Sequence, residues 1–168
     1  MIVTFHFSKK ISGWTFGSRF IMWVEGCDYS HCATEIQMDP DAEPFIYEAV
    51  YPKSRRLLKS VWLQHAQPVH SIPFLVLDET KKEEIINVLH DNLDKGYSIA
   101  QLAVIAIGMF FKAIQKAVHK IILNANKYLI CSEYQSLPLR IIGAQFEEPS
   151  DSVDITECYD AAMKLKGQ

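Results

Sequence analysis

Apolar and polar residues alternate along positions 2–7, with Val3, Phe5 and Phe7 on one side and Thr4 and His6 on the other, the period-two signature of a strand. The same texture predicts strands over 31–38 and 45–50, joined as a hairpin across the turn-forming Asp39-Pro40-Asp41. Segments 57–63 and 69–77 read as further strands, the second weakened by Pro73. Segment 18–24 admits two readings. Phe20, Ile21, Trp23 and Val24 make a short helical face with Ser18 as N-cap and Gly26 as stop, and the same continuous apolar run also suits a strand.

From residue 78 the period lengthens. Asp78-Glu79-Thr80 with Glu83 and Glu84 is an acidic helix start, followed by Ile85, Ile86, Leu89 and Leu93 at helical spacing and stopped by Gly96. Residues 98–125 read as a long helix, interrupted at most at Gly108. A lysine stripe of Lys112, Lys116 and Lys120 lies opposite an apolar face. A helix is expected from Cys131 to about Ile142, ended or kinked by Pro138, and a last one over 156–165. Strands early and helices late predict an α+β fold with an antiparallel sheet, in one domain spanning 1–168.

Composition narrows the classes. A chain of 168 residues with 49% hydrophobic side chains can bury a real core. A net charge of -3 lacks the basic excess of a nucleic-acid binder. The four cysteines, Cys27, Cys32, Cys131 and Cys158, do not form the dense pattern of a disulfide framework and read as reduced thiols. The first residues carry no secretion-signal pattern, and the apolar stretch 99–111 is too short to span a bilayer. The expectation is a cytoplasmic protein, or one that acts where it is made. Oligomeric state leaves no mark in the sequence.

Chemistry concentrates at Cys131. It follows the apolar run Tyr128-Leu129-Ile130 and opens a helix, where unpaired backbone N–H groups and the positive end of the helix dipole favour thiolate. Far upstream, His31 opens a strand-like segment. A cysteine with a remote histidine is a nucleophile–base candidate that the fold must assemble. Glu48, on the next strand of the hairpin, can orient the imidazole. Glu35 shares the strand face of His31 at an offset of four and ranks second. Backbone N–H groups at Cys131 and Ser132 would serve an oxyanion, with the Tyr128 hydroxyl as an auxiliary. On residue pattern alone, a buried structural cysteine and a satisfied core histidine are the commoner origins of such signals.

A set of ordered segments narrows the choice. Gly17-Ser18-Arg19-Phe20-Ile21-Met22-Trp23 precedes Tyr29-Ser30-His31; then come Ile46-Tyr47-Glu48-Ala49, Gly96-Tyr97-Ser98 through Leu102, Ile130-Cys131-Ser132-Glu133 and Glu148-Pro149-Ser150-Asp151-Ser152-Val153. Together they resemble the circularly permuted NlpC/P60 papain-like family, which includes the YiiX-like proteins and is related to lecithin–retinol acyltransferase. The histidine precedes the cysteine, as the permuted version requires. The resemblance implies a papain-like fold, a Cys131 nucleophile, a His31 base and a Glu48 orienting residue, and it favours a helix over 18–24. It implies a thiol hydrolase of amide bonds with no cofactor, acting on a peptide or a cell-wall peptidoglycan fragment. The absence of a secretion signal would then fit delivery by other means, as in a viral or phage setting. The chain departs from the family at Cys32, where Val is more usual, at Ser98, where Asp is usual, and across Asp151-Ser152-Val153.

Three rival expectations remain. The same triad can serve a lipid-ester hydrolase or acyltransferase acting on an acyl-lipid substrate, with the 98–125 helix lying on a membrane surface; a core helix is the more common source of such a pattern. Cys27, Asp28, His31 and Cys32 cluster in a loop, but the spacing is not a standard zinc knuckle, so no metal is expected. The fold can also persist as a non-catalytic interaction module.

Overall fold

The computed structural model describes residues 1–11, 18–19, 21–23, 26–98, 128–147 and 153–167. The predicted long helix over 98–125 falls almost wholly outside them. Strands β1 (Ile2–Lys10), β2 (His31–Gln37), β3 (Phe45–Val50) and β4 (Lys53–Leu58) are followed by a one-turn helix α1 (Lys59–Trp62) and strand β5 (Ala66–Leu75). Helix α2 (Glu79–Asp91), the short strands β6 (Gly96–Tyr97) and β7 (Tyr128–Leu129), and helices α3 (Cys131–Ile142) and α4 (Ile155–Lys166) complete the described elements. The strands form one seven-stranded sheet in the order β5-β1-β2-β3-β4-β6-β7. Every pairing is antiparallel except β6 with β7. The α+β class is therefore as expected.

Alternation along β1 separates the two faces of this sheet. Val3, Phe5 and Phe7 enter the main core with Cys32 and Ile36 of β2, Ile85 and Leu89 of α2, Cys131, Tyr134 and Leu139 of α3, and Ile155 and Cys158 of α4. On the opposite face, Ala33, Ile46, Trp62 and Ala66 form a smaller cluster, capped by the indole that α1 contributes. Residues Val3 to Ser8 are consequently buried on both faces. Helix α2 starts where the acidic signal placed it: the Asp78 side chain accepts from the backbone N–H groups of Thr80 and Lys81, at 2.9 and 3.2 Å. Leu89, with no exposed surface, faces the sheet from this helix. Leu89→Ala is expected to cost about 2–5 kcal/mol, read as a lowered urea midpoint with unchanged slope.

Two expectations are corrected. The strand expected over 57–63 is a strand only to Leu58, and then becomes the helical turn α1. The paired strand is instead the polar segment Lys53–Leu58, in which Ser54 is buried while its neighbours Lys53 and Arg55 face solvent. Trp62 leaves the sheet to lie across its second face, where it is almost fully buried. Pro138 does not end α3, which runs on to Ile142 and closes at Gly143 in a left-handed conformation (φ 110°). The helix absorbs the proline seven residues beyond Cys131, clear of the turn that holds the thiol. Pro73, by contrast, is accommodated as its position allows, because β5 is an edge strand. The described part of 18–24, residues 18–19 and 21–23, is helical, and Gly26 follows with φ 64°, the left-handed geometry of a helix stop.

Candidate active site

His31 is the first residue of β2, and the segment before it is tied down on both sides. The Ser30 backbone N–H donates to the Ser8 carbonyl at 2.9 Å, and the Ser30 hydroxyl hydrogen-bonds that of Ser18 in the helical stretch. The ring therefore projects from a fixed start of the strand. Cys131 is placed by equally local means. Strand β7 runs parallel to β6, Ile130 turns in an extended N-cap conformation, and α3 begins with the thiol. No N-cap side chain closes this first turn, so backbone donors at the helix start are available beside the sulfur. Cys131 and Ser132 are both buried, and the Cys158 thiol on α4 donates to the Ser132 carbonyl at 3.3 Å.

The fold brings the distant pair together. His31 and Cys131 share a side-chain hydrogen bond. On the other edge of the ring, His31 Nε2 donates to Glu48 Oε2 at 2.7 Å. That assignment leaves Nδ1 for the thiol. Glu48 lies opposite Arg55 in the β3–β4 register. Its Oε1 accepts from Arg55 Nε at 2.8 Å and Nη2 at 2.6 Å, while Oε2 also accepts from Trp62 Nε1 at 3.1 Å. All the donors around this buried carboxylate thus hold its ionised form.

The electrostatics follow from these contacts. Burial disfavours charge on His31, but hydrogen bonds and charge from Cys131 and Glu48 outweigh it and hold the imidazolium up to about 10. Burial also works against the Glu48 carboxylate, yet His31 and Arg55 bring it down to about 2. At Cys131 a hydrogen bond from Cys32 is the largest influence; burial opposes it, and His31 adds to it, so the thiol sits well below its ordinary range. These contacts all favour a thiolate–imidazolium pair backed by a carboxylate, an arrangement that can attack a carbonyl and then protonate a leaving group.

Glu35 is engaged elsewhere. Its Oε2 accepts from His6 Nε2 at 2.9 Å and from Lys59 Nζ at 2.8 Å, and His6 Nδ1 meets the Ser71 hydroxyl at 2.8 Å. The second-ranked orienting residue thus belongs to another histidine, and the pleat explains why: an offset of four residues along a strand outreaches one hydrogen bond. The backbone of Tyr128 is placed by β7, but the proposed use of its hydroxyl lies outside the described residues. In the Cys27–Cys32 loop, the Cys27 thiol donates to the Tyr29 carbonyl at 3.0 Å, and Asp28 lies 3.8 Å from His70. Among the described residues, no three His, Cys, Asp or Glu side chains converge as a metal shell.

Sequence reasoning did not find Arg55, Trp62 or the thiol contact of Cys32. Arg55 was discoverable, since pairing 45–50 back across Tyr51-Pro52 sets it opposite Glu48. Trp62 was concealed by reading 57–63 as a strand. No protein-family model matches this chain, and no curated protein matches it.

Proposed function

We propose that this protein is a cysteine hydrolase of amide bonds. Its substrate would be a peptide or a peptidoglycan fragment, and its fold a circularly permuted papain-like one. The observation that carries the reading is the His31 ring, bonded on one edge to the Cys131 thiol and on the other to the buried Glu48 carboxylate. Support for the fold comes from the chain order, with the histidine at a strand start, the carboxylate on its hairpin partner and the cysteine opening a later buried helix. In this reading Cys131 attacks the carbonyl carbon, and first-turn backbone N–H groups receive the developing oxyanion. The His31 imidazolium protonates the departing amine, and the resulting neutral ring then draws a proton from water that cleaves the thioester.

The reading is tested by alkylation and by turnover. Because Cys131 titrates well below its ordinary range, iodoacetamide should label it rapidly at about pH 6, where a free cysteine is mostly unreactive thiol. His31→Ala should slow this by roughly tenfold or more and move the acid limb of the rate toward ordinary thiol pH, as followed by mass spectrometry. With substrate, turnover should rise as Cys131 loses its proton and fall near pH 10 as His31 loses its own. Peptidoglycan fragments and peptide amides are expected to be cleaved. Cleavage of lipid esters alone would transfer the site to acyl lipids. Labelling no faster than free cysteine would remove the hydrolase.

A further inference from the structure

Cys32 has no part in the hydrolytic steps, yet it lies against them. It follows His31 directly on β2, and the pleat turns its side chain into the main core, on the face that receives α3. There its thiol is hydrogen-bonded to the sulfur of Cys131, and the two residues are only 1% and 2% exposed. The other two thiols have carbonyl partners, Cys27 at Tyr29 and Cys158 at Ser132.

We propose that Cys131 and Cys32 form a peroxide-reactive dithiol site, in which a hydroperoxide joins the two adjacent sulfurs in a disulfide and reversibly masks the nucleophile. The Cys131 thiolate attacks the peroxide oxygen; a sulfur–oxygen bond forms, the oxygen–oxygen bond breaks, and the leaving hydroxide takes the His31 proton to become water. Cys32 then attacks the sulfenic sulfur. A sulfur–sulfur bond forms, the sulfur–oxygen bond breaks, and the hydroxyl leaves as a second water with the proton given up by Cys32. Two thiols are oxidised and one peroxide is reduced to two waters. The dithiol shares with the proposed hydrolase the Cys131 thiolate and the His31 proton, and does not depend on the substrate assigned there.

The test treats the full chain with stoichiometric hydrogen peroxide and follows it by intact mass, peptide mapping and iodoacetamide labelling before and after dithiothreitol. Wild type should lose two hydrogens, map to a Cys32–Cys131 cross-link, and regain full labelling on reduction. Cys32→Ser, which keeps a hydrogen-bond donor, and Cys32→Val, which keeps the packing, should instead gain one oxygen at Cys131 without a cross-link, and under excess peroxide, where the wild-type disulfide is protected, should pass on to sulfinic acid and recover little labelling. Sulfinic acid at Cys131 in wild type without a cross-link would overturn the dithiol and leave the hydrolase intact. A cross-link to Cys27 or Cys158, or recovery of the Cys32 variants equal to wild type after excess peroxide, would also overturn it. A Cys32–Cys131 cross-link in a protein that forms no thioester with substrate would sustain the dithiol and remove the hydrolase.

Discussion

Cys131→Ala is expected to abolish amide hydrolysis, lowering turnover by on the order of 10^5-fold, while the protein remains folded. The first part follows from the chemistry assigned to the sulfur, because neither His31 nor the first-turn N–H groups can form the acyl intermediate. The second follows from the site. Cys131 is a small buried residue at a helix start, and alanine fits the same space with a loss of about 1 kcal/mol. Turnover of a peptidoglycan fragment measured beside a urea melt separates the two. Cys131→Ser should be nearly as inactive, because the hydroxyl lacks the low-lying ionised form that the imidazolium stabilises in the thiol. Retention of hydrolysis by the alanine variant would show that the cleaving group lies elsewhere.

Glu48→Gln is expected to damage both rate and stability. Four donated hydrogen bonds converge on the two carboxylate oxygens, from His31, Trp62 and twice from Arg55. An amide has only one acceptor oxygen, so its NH2 must face a donor. His31 is buried, and its imidazolium loses its counter-charge. Breaking such a pair costs about 3 kcal/mol, and turnover should fall by roughly a hundredfold or more. Arg55 is half-exposed and can rehydrate, so most of the loss falls on the histidine side. The variant should also change the acid limb of stability. Glu48 titrates at about 2 in the folded protein against 4.5 when unperturbed, so its contribution is present above pH 4.5 and drains away as pH falls toward 2. Urea melts across that range should show the decline in wild type, and Glu48→Gln should lack this component. An unchanged acid limb would mean that the carboxylate is not held as described.

The strands that carry the histidine and the carboxylate were legible because each buries one apolar side, and period two then fixes which residues share a face. His31 and Glu48 could be paired on that basis, and Cys131 was recognisable from a helix start after an apolar strand. The polar strand β4 was not legible. Its sequence, Lys53-Ser54-Arg55-Arg56-Leu57-Leu58, has little hydrophobic alternation and is recruited by pairing with β3 rather than by its own pattern. The turn α1 was misread for a related reason: a short apolar run does not say whether its indole packs within the strand or folds over it. Arg55 and Trp62 come from these two segments, so the donors that hold the carboxylate were hidden together.

The hairpin that joins β2 to β3 has a consequence for how reactivity first arises. The imidazole and its carboxylate are seventeen positions apart and belong to neighbouring strands, whereas the sulfur arrives from a hundred positions downstream. Short loops close before long ones, so the base is assembled by nearby sequence and waits for the late-docking helix. On a newly made chain the sulfur is an ordinary, sluggish thiol until α3 seats against the sheet. Its sudden nucleophilicity then reports that this long-range contact has formed.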